Sequence, residues 1–392
     1  MVKVIIFGNT LVNTMGLIRS VGKMGRKVDL LMEPCLKSRC LVHRSKYVEK
    51  VHWLNRMEEA LDVLRNEYWN EPEKSVILCG GDSVMCLLDA HYDVLKDHFC
   101  IFNARGEQGR INFFMDKSNQ FPVAAKCGLN LIKTWHIKGG GDIPEDVIYP
   151  CIIKGNNSTS STKGDMYVCK CCNELSAKLK KGVDYLIQEY VEKDFELDVV
   201  GFSWNHGENV YTPAAVNKIR ETLTRQSDYI RLDNIDQYKS LRVDAIKRFV
   251  REIGYEGIFS IEVLKKEETY YFLEMNLRND GVGYLYTAAG INYPKCWINY
   301  AEGNLINDDA IAKKKRTPYY LMSENDLYNI VEGKVSLWQW LKDFHRTDAF
   351  FILDFSDPMP FIYSTWIHFK QMLKKIVRKC CCWIGCHGSE RN

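Results

Sequence analysis

The chain has 392 residues, 46% hydrophobic and 26% charged, and its 53 basic and 50 acidic side chains leave a formal net charge of +3. That length supports two or three domains with ample core, and the near-balance of charge excludes a general nucleic-acid binder, which needs an excess of Lys and Arg against phosphate. The 15 cysteines, clumped at Cys169, Cys171, Cys172 and at Cys380, Cys381, Cys382, make a poor disulfide framework for this size, so reduced thiols and a cytoplasmic location are expected. No uninterrupted apolar stretch reaches the roughly 18 residues of a membrane span. The uncharged start from Val4 to Ile18 is interrupted by Gly8, Asn9 and Asn13, with no cleavage site after it, so it reads as strand, turn and helix rather than as a signal peptide.

In chain order, Val2 to Phe7 is a continuous apolar run suited to a buried parallel strand, Gly8-Asn9-Thr10 is a turn, Leu11 to Met24 has helical spacing and Lys27 to Met32 is a second strand. The pattern returns with the strand Val76 to Cys79, the turn Gly80-Gly81-Asp82 and the helix Ser83 to Leu95. Residues 1 to about 105 therefore form a doubly wound α/β unit, whose ligands would sit at the carboxyl ends of its strands. No G-x-G-x-x-G fingerprint follows either strand, which disfavours dinucleotide binding. A helix is expected from Phe114 through Lys117 to Lys126, stopped by Gly128. Tyr149 to Gly155 is a short strand ending in Lys154, followed by the small polar run Asn156 to Gly164. The spacing then predicts strands over Met166 to Cys169, Tyr185 to Glu189, Glu196 to Trp204 and Asn209 to Lys218, with a polar helix from Asn173 to Lys181. A helix over Tyr238 to Ile253 precedes the strand Gly257 to Leu264, a charged turn and the strand Tyr270 to Asn276.

Period-two alternation puts Glu262 on one face of its strand, and Glu274 with Asn276 on one face of the next. Two carboxylates and a carboxamide on adjacent strands are the hard oxygen ligands that Mg²⁺ accepts alongside water and phosphate, and Arg278 is placed to stabilise a transferred phosphoryl group. Alternating charge on a half-exposed sheet face gives the same pattern. Lys154 with the following loop offers a point charge and many backbone N–H donors, as a phosphate cradle does and as a solvated hairpin also does.

The order of these pieces resembles the ATP-grasp superfamily of carboxylate-amine ligases: Lys117, Ile152-Ile153-Lys154 with its small-residue loop, Leu186-Ile187-Gln188-Glu189-Tyr190-Val191, Glu196, Asn217-Lys218, Glu262 and Glu274-Met275-Asn276-Leu277-Arg278. The resemblance covers about residues 1 to 300. It implies a mixed α/β and α+β architecture: a Rossmann-like pre-ATP-grasp domain over 1–110, a two-part ATP-grasp domain over 111–305 with a central lid at about 133–190, and an extension over 306–392. It also implies ATP with Mg²⁺ or Mn²⁺ as cofactors. Lys117 and Lys154 would contact phosphates, Ser158, Ser160 and Ser161 belong to the loop that would close over the triphosphate, and Glu189 with the backbone of Tyr190 and Val191 would meet adenine. Glu196 would bind ribose, Lys218 a further phosphate, Glu262, Glu274 and Asn276 the metal, and Arg278 with Lys154 would serve the transfer. The implied reaction activates a carboxylate as an acyl phosphate and joins it to an amine. A kinase-like phosphoryl transferase and a non-catalytic ATP-binding regulator are the alternatives.

Arg220 and Arg225 are candidate anchors for a substrate carboxylate, since guanidinium binds carboxylate bidentately; solvated loop arginines are the plainer reading. The region after residue 300, with Asp354-Phe355-Ser356-Asp357-Pro358-Met359-Pro360-Phe361, resembles the extension of polysaccharide-cluster and D-aspartate ligase-like ATP-grasp enzymes, which implies a cell-envelope substrate. Trp366, Phe369, Leu373, Ile376 and Val377 share a helical face beside Lys370, Lys374, Lys375, Arg378 and Lys379. Residues 366–380 could thus contact a membrane peripherally or dock on the domain. Cys380 to Cys382 with Cys386 and His387 lack the spacing of a standard zinc site. The remaining expected partners are small molecules, a homodimer is allowed, and no nucleic acid is expected.

Overall fold

A computed structural model of the chain describes residues 1–10, 12–156, 166–222, 227–304, 306 and 317–370. Five parallel strands open the chain: β1 (Val4–Gly8), β2 (Val28–Met32), β3 (Val48–Trp53), β4 (Ser75–Cys79) and β5 (Phe99–Cys100), in the order β3-β2-β1-β4-β5. β1, β2 and β4 are buried along their whole length, as their unbroken apolar sequences require, whereas β3 reads Val-Glu-Lys-Val-His-Trp and lies half exposed at the edge. The strand order reverses at β1 and β4, so their carboxyl ends open the crevice where such sheets take ligands. Glycine is needed there. A Cβ on Gly80 would meet Thr14 Oγ1 at 2.6 Å and the Gly8 Cα at 3.1 Å.

Two short strands, β6 (Asn103–Ala104) and β7 (Asn130–Leu131), pair with strands of the large sheet. Between them the expected single helix is two, Arg110–Met115 and Lys117–Lys126, because Asp116 takes extended angles (φ −78°, ψ 113°). The break leaves Lys117 on the first residue of the second helix rather than inside a long one.

The next four strands, β8 (Thr134–Lys138), β9 (Cys151–Gly155), β10 (Tyr167–Cys169) and β11 (Asp184–Glu189), form an antiparallel sheet in the order β10-β9-β11-β8. Its core is its own: Ile137, Val147, Cys151, Ile153, Cys169, Leu175, Tyr185 and Ile187 cluster apart from the main core. Ile153 and Ile187 face that cluster. Ile152 with Lys154 and Gln188, one residue out of phase, face the opposite way into the cleft.

The remaining strands, β12 (Phe195–Trp204), β13 (Asn209–Tyr211), β14 (Ala214–Glu221), β15 (Ser227–Asn234), β16 (Tyr255–Lys266), β17 (Thr269–Asn276), β18 (Tyr319–Met322) and β19 (Ala349–Phe350), build the large sheet, ordered β19-β18-β15-β14-β12-β16-β17-β7. The strand expected from Asn209 to Lys218 is interrupted at Thr212-Pro213, since proline has no N–H for a ladder. The helix expected from Tyr238 begins only at Val243 and ends at Ile253, where Gly254 turns left-handed. The polar helix expected over Asn173 to Lys181 is a single turn, Cys172–Ser176.

Residues beyond 317 are part of the fold. Arg19, fully buried, donates to Asp357 and to the carbonyls of Phe351 and Ile352, while Asp357 also accepts from Ser45 Oγ and Lys46 N. Tyr284 donates its hydroxyl to Asp354 at 2.8 Å. The Asp354 to Asp357 segment is thus a clasp onto the N-terminal unit. The described cysteines are free thiols.

Candidate active site

The antiparallel register sets three carboxylates in a row across the large sheet: Asp198 of β12 lies opposite Glu262 of β16, which lies opposite Glu274 of β17. A bulge after Glu262 breaks the ladder there. Lys218, on the neighbouring β14, reaches into the row, with Nζ 3.0 Å from Asp198 and 3.4 Å from both Glu196 and Glu262. Burial disfavours its charge, but the carboxylates of Asp198, Glu262 and Glu196 outweigh that and hold its pKa well above the ordinary value. Glu196 is likewise desolvated, yet Lys218 and Lys193 keep its carboxyl below the usual range. Asn276 donates Nδ2 to Glu262 Oε1 at 3.2 Å and accepts from Arg278 at 3.4 Å.

Opposite this row stand two lysines delivered by different elements. Lys117 ion-pairs with Glu274 at 2.9 Å, and its pKa is raised because Glu274 outweighs desolvation. Lys154, at the end of β9, has no carboxylate within ion-pair distance among the described residues; burial, with Lys117 adding repulsion, pushes it down to about 8 against the partial relief of Glu274 and Glu262. Asn156 fixes the spacing between them. Its carbonyl accepts the Lys117 N–H, and its side chain both accepts from Ser118 N and donates to Ser118 Oγ, each at 3.1 Å. Two orphan N–H groups of the helix start are thereby capped from another strand. On the far side of the same helix, buried Gln120 accepts from Met275 N at 2.7 Å and donates to Met275 O at 3.0 Å. Met275 stands between Glu274 and Asn276, so this clamp sets Lys117 against both.

The N-terminal unit closes the third side. Asp82, at the start of the helix after β4, holds Arg278 by two contacts of 2.5 and 3.1 Å. Arg278 is desolvated, but Asp82 and Asp280 hold its pKa above the ordinary value. Buried Asn13 donates Nδ2 to the carbonyls of Gly80 and Asn279 and accepts from Asn279 Nδ2, which locks the Arg278–Gly281 turn to the helix after β1 and to the end of β4. The carboxylates Asp82, Glu196, Asp198, Glu262 and Glu274, the cations Lys117, Lys154, Lys218 and Arg278, and Asn276 line one cleft of about 1310 Å³, together with Asn9, Gly80, Gly81, Gln188, Glu189 and Val191. A second cavity of about 670 Å³, lined by Met1, Tyr92, Glu256, Trp297 and Tyr300 among others, contains none of them.

No family model matches the sequence, and no curated protein matches it. Solved structures do match. The N5-carboxyaminoimidazole synthetase of Staphylococcus aureus, complexed with ADP, superposes with a TM-score of 0.65 over 85% of this chain and 86% of that one, at 14% identity. The L-amino acid ligase of Bacillus licheniformis gives a TM-score of 0.62 over 80% and 77% of the two chains, also at 14% identity. A biotin carboxylase of Campylobacter jejuni gives 0.61 over 80% and 74%, at 18% identity. The chain has the ATP-grasp fold.

Within this ATP-grasp fold, the cleft brings together Lys117, Lys154, Glu189, Val191, Glu196, Lys218, Glu262, Glu274, Asn276 and Arg278. Tyr190 is not on its wall; its amide donates to Pro150 O at 3.0 Å and its ring is partly exposed. Ser158, Ser160, Ser161 and Arg225 lie outside the described residues, as do Cys380 to Cys382, Cys386 and His387. Arg220 differs from expectation. Its guanidinium is held by Asp326 at 3.0 and 2.6 Å and by Asp343 at 2.5 Å, which leaves it tying the C-terminal segment to the sheet rather than meeting a substrate carboxylate. Sequence reasoning missed Gln120 and Asp198; it placed Asp82 in a turn at a ligand-binding strand end and Asn156 at the start of the loop after Lys154, without the contacts each makes here. Asp198 had a signal, since Glu196-x-Asp198 carries the same period-two spacing as Glu274-x-Asn276.

Among the described residues no three His, Cys, Asp or Glu side chains gather into a metal cluster. Two carboxylates and a carboxamide are nevertheless a fitting Mg²⁺ set, because that ion keeps several positions for water and phosphate oxygen. Turning the Asn276 amide over exchanges its Nδ2 for Oδ1 toward Glu262 without moving the chain.

Proposed function

We propose that this chain is an ATP-dependent ligase that activates a carboxylate as an acyl phosphate and joins it to an amine, forming a carbon–nitrogen bond. The observation that carries this reading is the meeting, in one cleft, of two lysines from separate elements, the Glu262, Glu274 and Asn276 oxygens and a buried arginine at the seam with the N-terminal unit. The chemistry needs each part. A carboxylate resists attack until one oxygen becomes a leaving group, so the γ-phosphoryl must first move onto it, which positioning and charge stabilisation accomplish without a protein nucleophile.

Lys117 and Lys154 would bind phosphate oxyanions, with Asn156 and Gln120 keeping them in place. Arg278, steadied by Asp82, would stabilise charge on the moving phosphoryl group and on the new acyl phosphate. Glu262, Glu274 and Asn276 would hold Mg²⁺, whose contribution is to neutralise phosphate charge. Ile132, Ile152, Val191, Leu264 and Leu273 line the cleft beside Glu189 and would form an apolar slot for a purine, with Glu196 directed to the ribose. Lys218, among three carboxylates, would keep Glu196 and Glu262 ionised and close together. The finer assignments are proposals too: an acceptor from cell-envelope or polysaccharide biosynthesis, a cytoplasmic location, and divisions near residues 110 and 305.

Amino acids and uronic acids, paired as carboxylate and amine with Mg-ATP, test the reading through ADP release and detection of an amide by mass spectrometry. Dependence on both substrates supports the ligase; ADP release with a carboxylate that no amine increases would point to a kinase-like transferase. Glu274→Ala should abolish turnover while keeping the fold, and undiminished ADP release by a folded variant would refute the metal set.

A further inference from the structure

The described part of the C-terminal extension leaves two apolar helix faces uncovered. On the helix Leu337–Arg346, Leu337, Trp338, Leu341 and Phe344 are exposed at helical spacing, with Trp338 76% exposed, while the opposite face is anchored by Asp343 to Arg220. On the helical residues 359–370, Met359, Ile362, Trp366 and Phe369 are exposed in the same way. Leu327, Tyr328 and Val331, also exposed, precede the first of these helices. The cleft reaches both segments, since Leu327 and Tyr328, ahead of the first helix, and Phe361, His368 and Phe369 on the second are among its lining residues. Burying such a surface is favourable at roughly 25 cal/mol per Å², and large apolar side chains exposed side by side on one helix face are a mark of a partner.

Charge says which partner. Glu332 is paired with Lys334 at 2.9 Å and Asp343 with Arg220, so the outward groups near these faces are Lys342, Arg346 and Lys370, the last over the Trp366 ring at 4.9 Å. The sequence from Pro358 to Ser389 contains no acid, and Lys374, Lys375, Arg378 and Lys379 follow Lys370 directly. Aromatic side chains interleaved with lysine suit the boundary between headgroups and acyl chains of an anionic bilayer, where each basic residue contributes about 1 kcal/mol. No helix of the described residues is long and apolar enough to cross a membrane.

We propose that the faces of residues 327–344 and 359–369 form a docking surface for an anionic lipid bilayer, seating the mouth of the cleft on the membrane. The surface is larger than the basic tail alone, and it does not depend on which reaction the cleft performs.

Co-sedimentation of the full chain with phosphatidylcholine vesicles, with and without about a third phosphatidylglycerol, tests this. Binding at least tenfold tighter to the anionic vesicles and weakened by salt is expected. Trp338→Glu with Leu341→Glu should lower binding more than tenfold with an unchanged unfolding temperature, and Lys374→Gln with Lys375→Gln should cost on the order of tenfold on anionic vesicles only. Equal binding to both vesicle types, or no loss in the Trp338→Glu, Leu341→Glu variant, would overturn the proposal. So would conversion of a dimer to a monomer by that variant, which would assign the surface to a second copy. Stronger vesicle binding after truncation at Lys370 would assign the cover to the chain's own tail and overturn it as well.

Discussion

Lys154 is a cation held where a cation is costly, and its removal gives the sharpest test of the site. An unfolded lysine keeps its proton to about pH 10.5, whereas burial pushes Lys154 in the folded chain down to about 8. Between those values the unfolded chain carries the extra proton, so rising pH stabilises the wild type across that window, and below pH 8 the full penalty is present. At 1.36 kcal/mol per pKa unit the penalty is about 3 kcal/mol. Lys154→Met keeps the stem without the charge. At pH 7 it should be more stable than the wild type by up to about 3 kcal/mol, and the two should converge near pH 10.5. Anionic phosphates in the cleft would restore the proton, so Mg-ATP should raise the wild-type unfolding temperature and leave the variant's unchanged, with proton uptake on binding above pH 8. Urea denaturation at pH 7 and pH 10, with calorimetry in two buffers of different ionisation enthalpy, measures each part. A stability difference between wild type and variant that is the same at both pH values would refute the desolvation argument.

Gln120→Ala strands the N–H and C=O of Met275, and should cost about 2–3 kcal/mol in denaturant unfolding while raising the KM for ATP, as Lys117 and Glu274 lose their common support. Lys218→Met removes the shared cation of Asp198 and Glu262 and leaves Glu196 with Lys193 alone, and should destabilise by about 3–5 kcal/mol at pH 8. Burial already pushes the Asp198 carboxyl up, so its protonation should shrink the loss toward pH 5, and equal losses at both pH values would contradict the charge cluster. Gly80→Ala forces a methyl against Thr14 and the Gly8 backbone, for an expected loss of about 1–3 kcal/mol in thermal unfolding; a neutral result would mean that the β1–β4 crevice yields.

What was legible follows from distance along the chain. Buried parallel strands announce themselves as apolar runs, and Glu262, Glu274, Asn276 and Arg278 stand out because one hairpin of period-two alternation carries all four. Lys117 was legible as a residue but not in its setting, since helical spacing runs straight through the break at Asp116. β8 and β15 escaped notice because Thr-Trp-His-Ile-Lys and Ser-Asp-Tyr-Ile-Arg-Leu-Asp-Asn mix polar and apolar residues, and pairing with neighbouring strands, not local preference, makes them strands. Asp82 with Arg278, and Gln120 with Met275, are contacts across 196 and 155 residues, beyond the reach of any local pattern. Arg220 shows the converse: a guanidinium looks alike in sequence whether it awaits a ligand or already has two aspartates from a turn and a helix much later in the chain.

The clasp at Asp357 bears on how the protein can be taken apart. Among the described residues, Arg19, fully buried near the amino end, and Arg220, in the middle of the large sheet, both find their counter-charges only beyond residue 320. A fragment ending near residue 305 would contain both guanidinium groups and none of Asp326, Asp343 or Asp357, and an uncompensated buried charge costs several kcal/mol. β15 would also lose its hydrogen-bonded neighbour β18 and become an open edge, a template for pairing with other chains. Such a fragment would retain the proposed site residues and yet be prone to aggregate, so residues 317–370 should be treated as part of the folding unit in any effort to express, crystallise or reassign this protein.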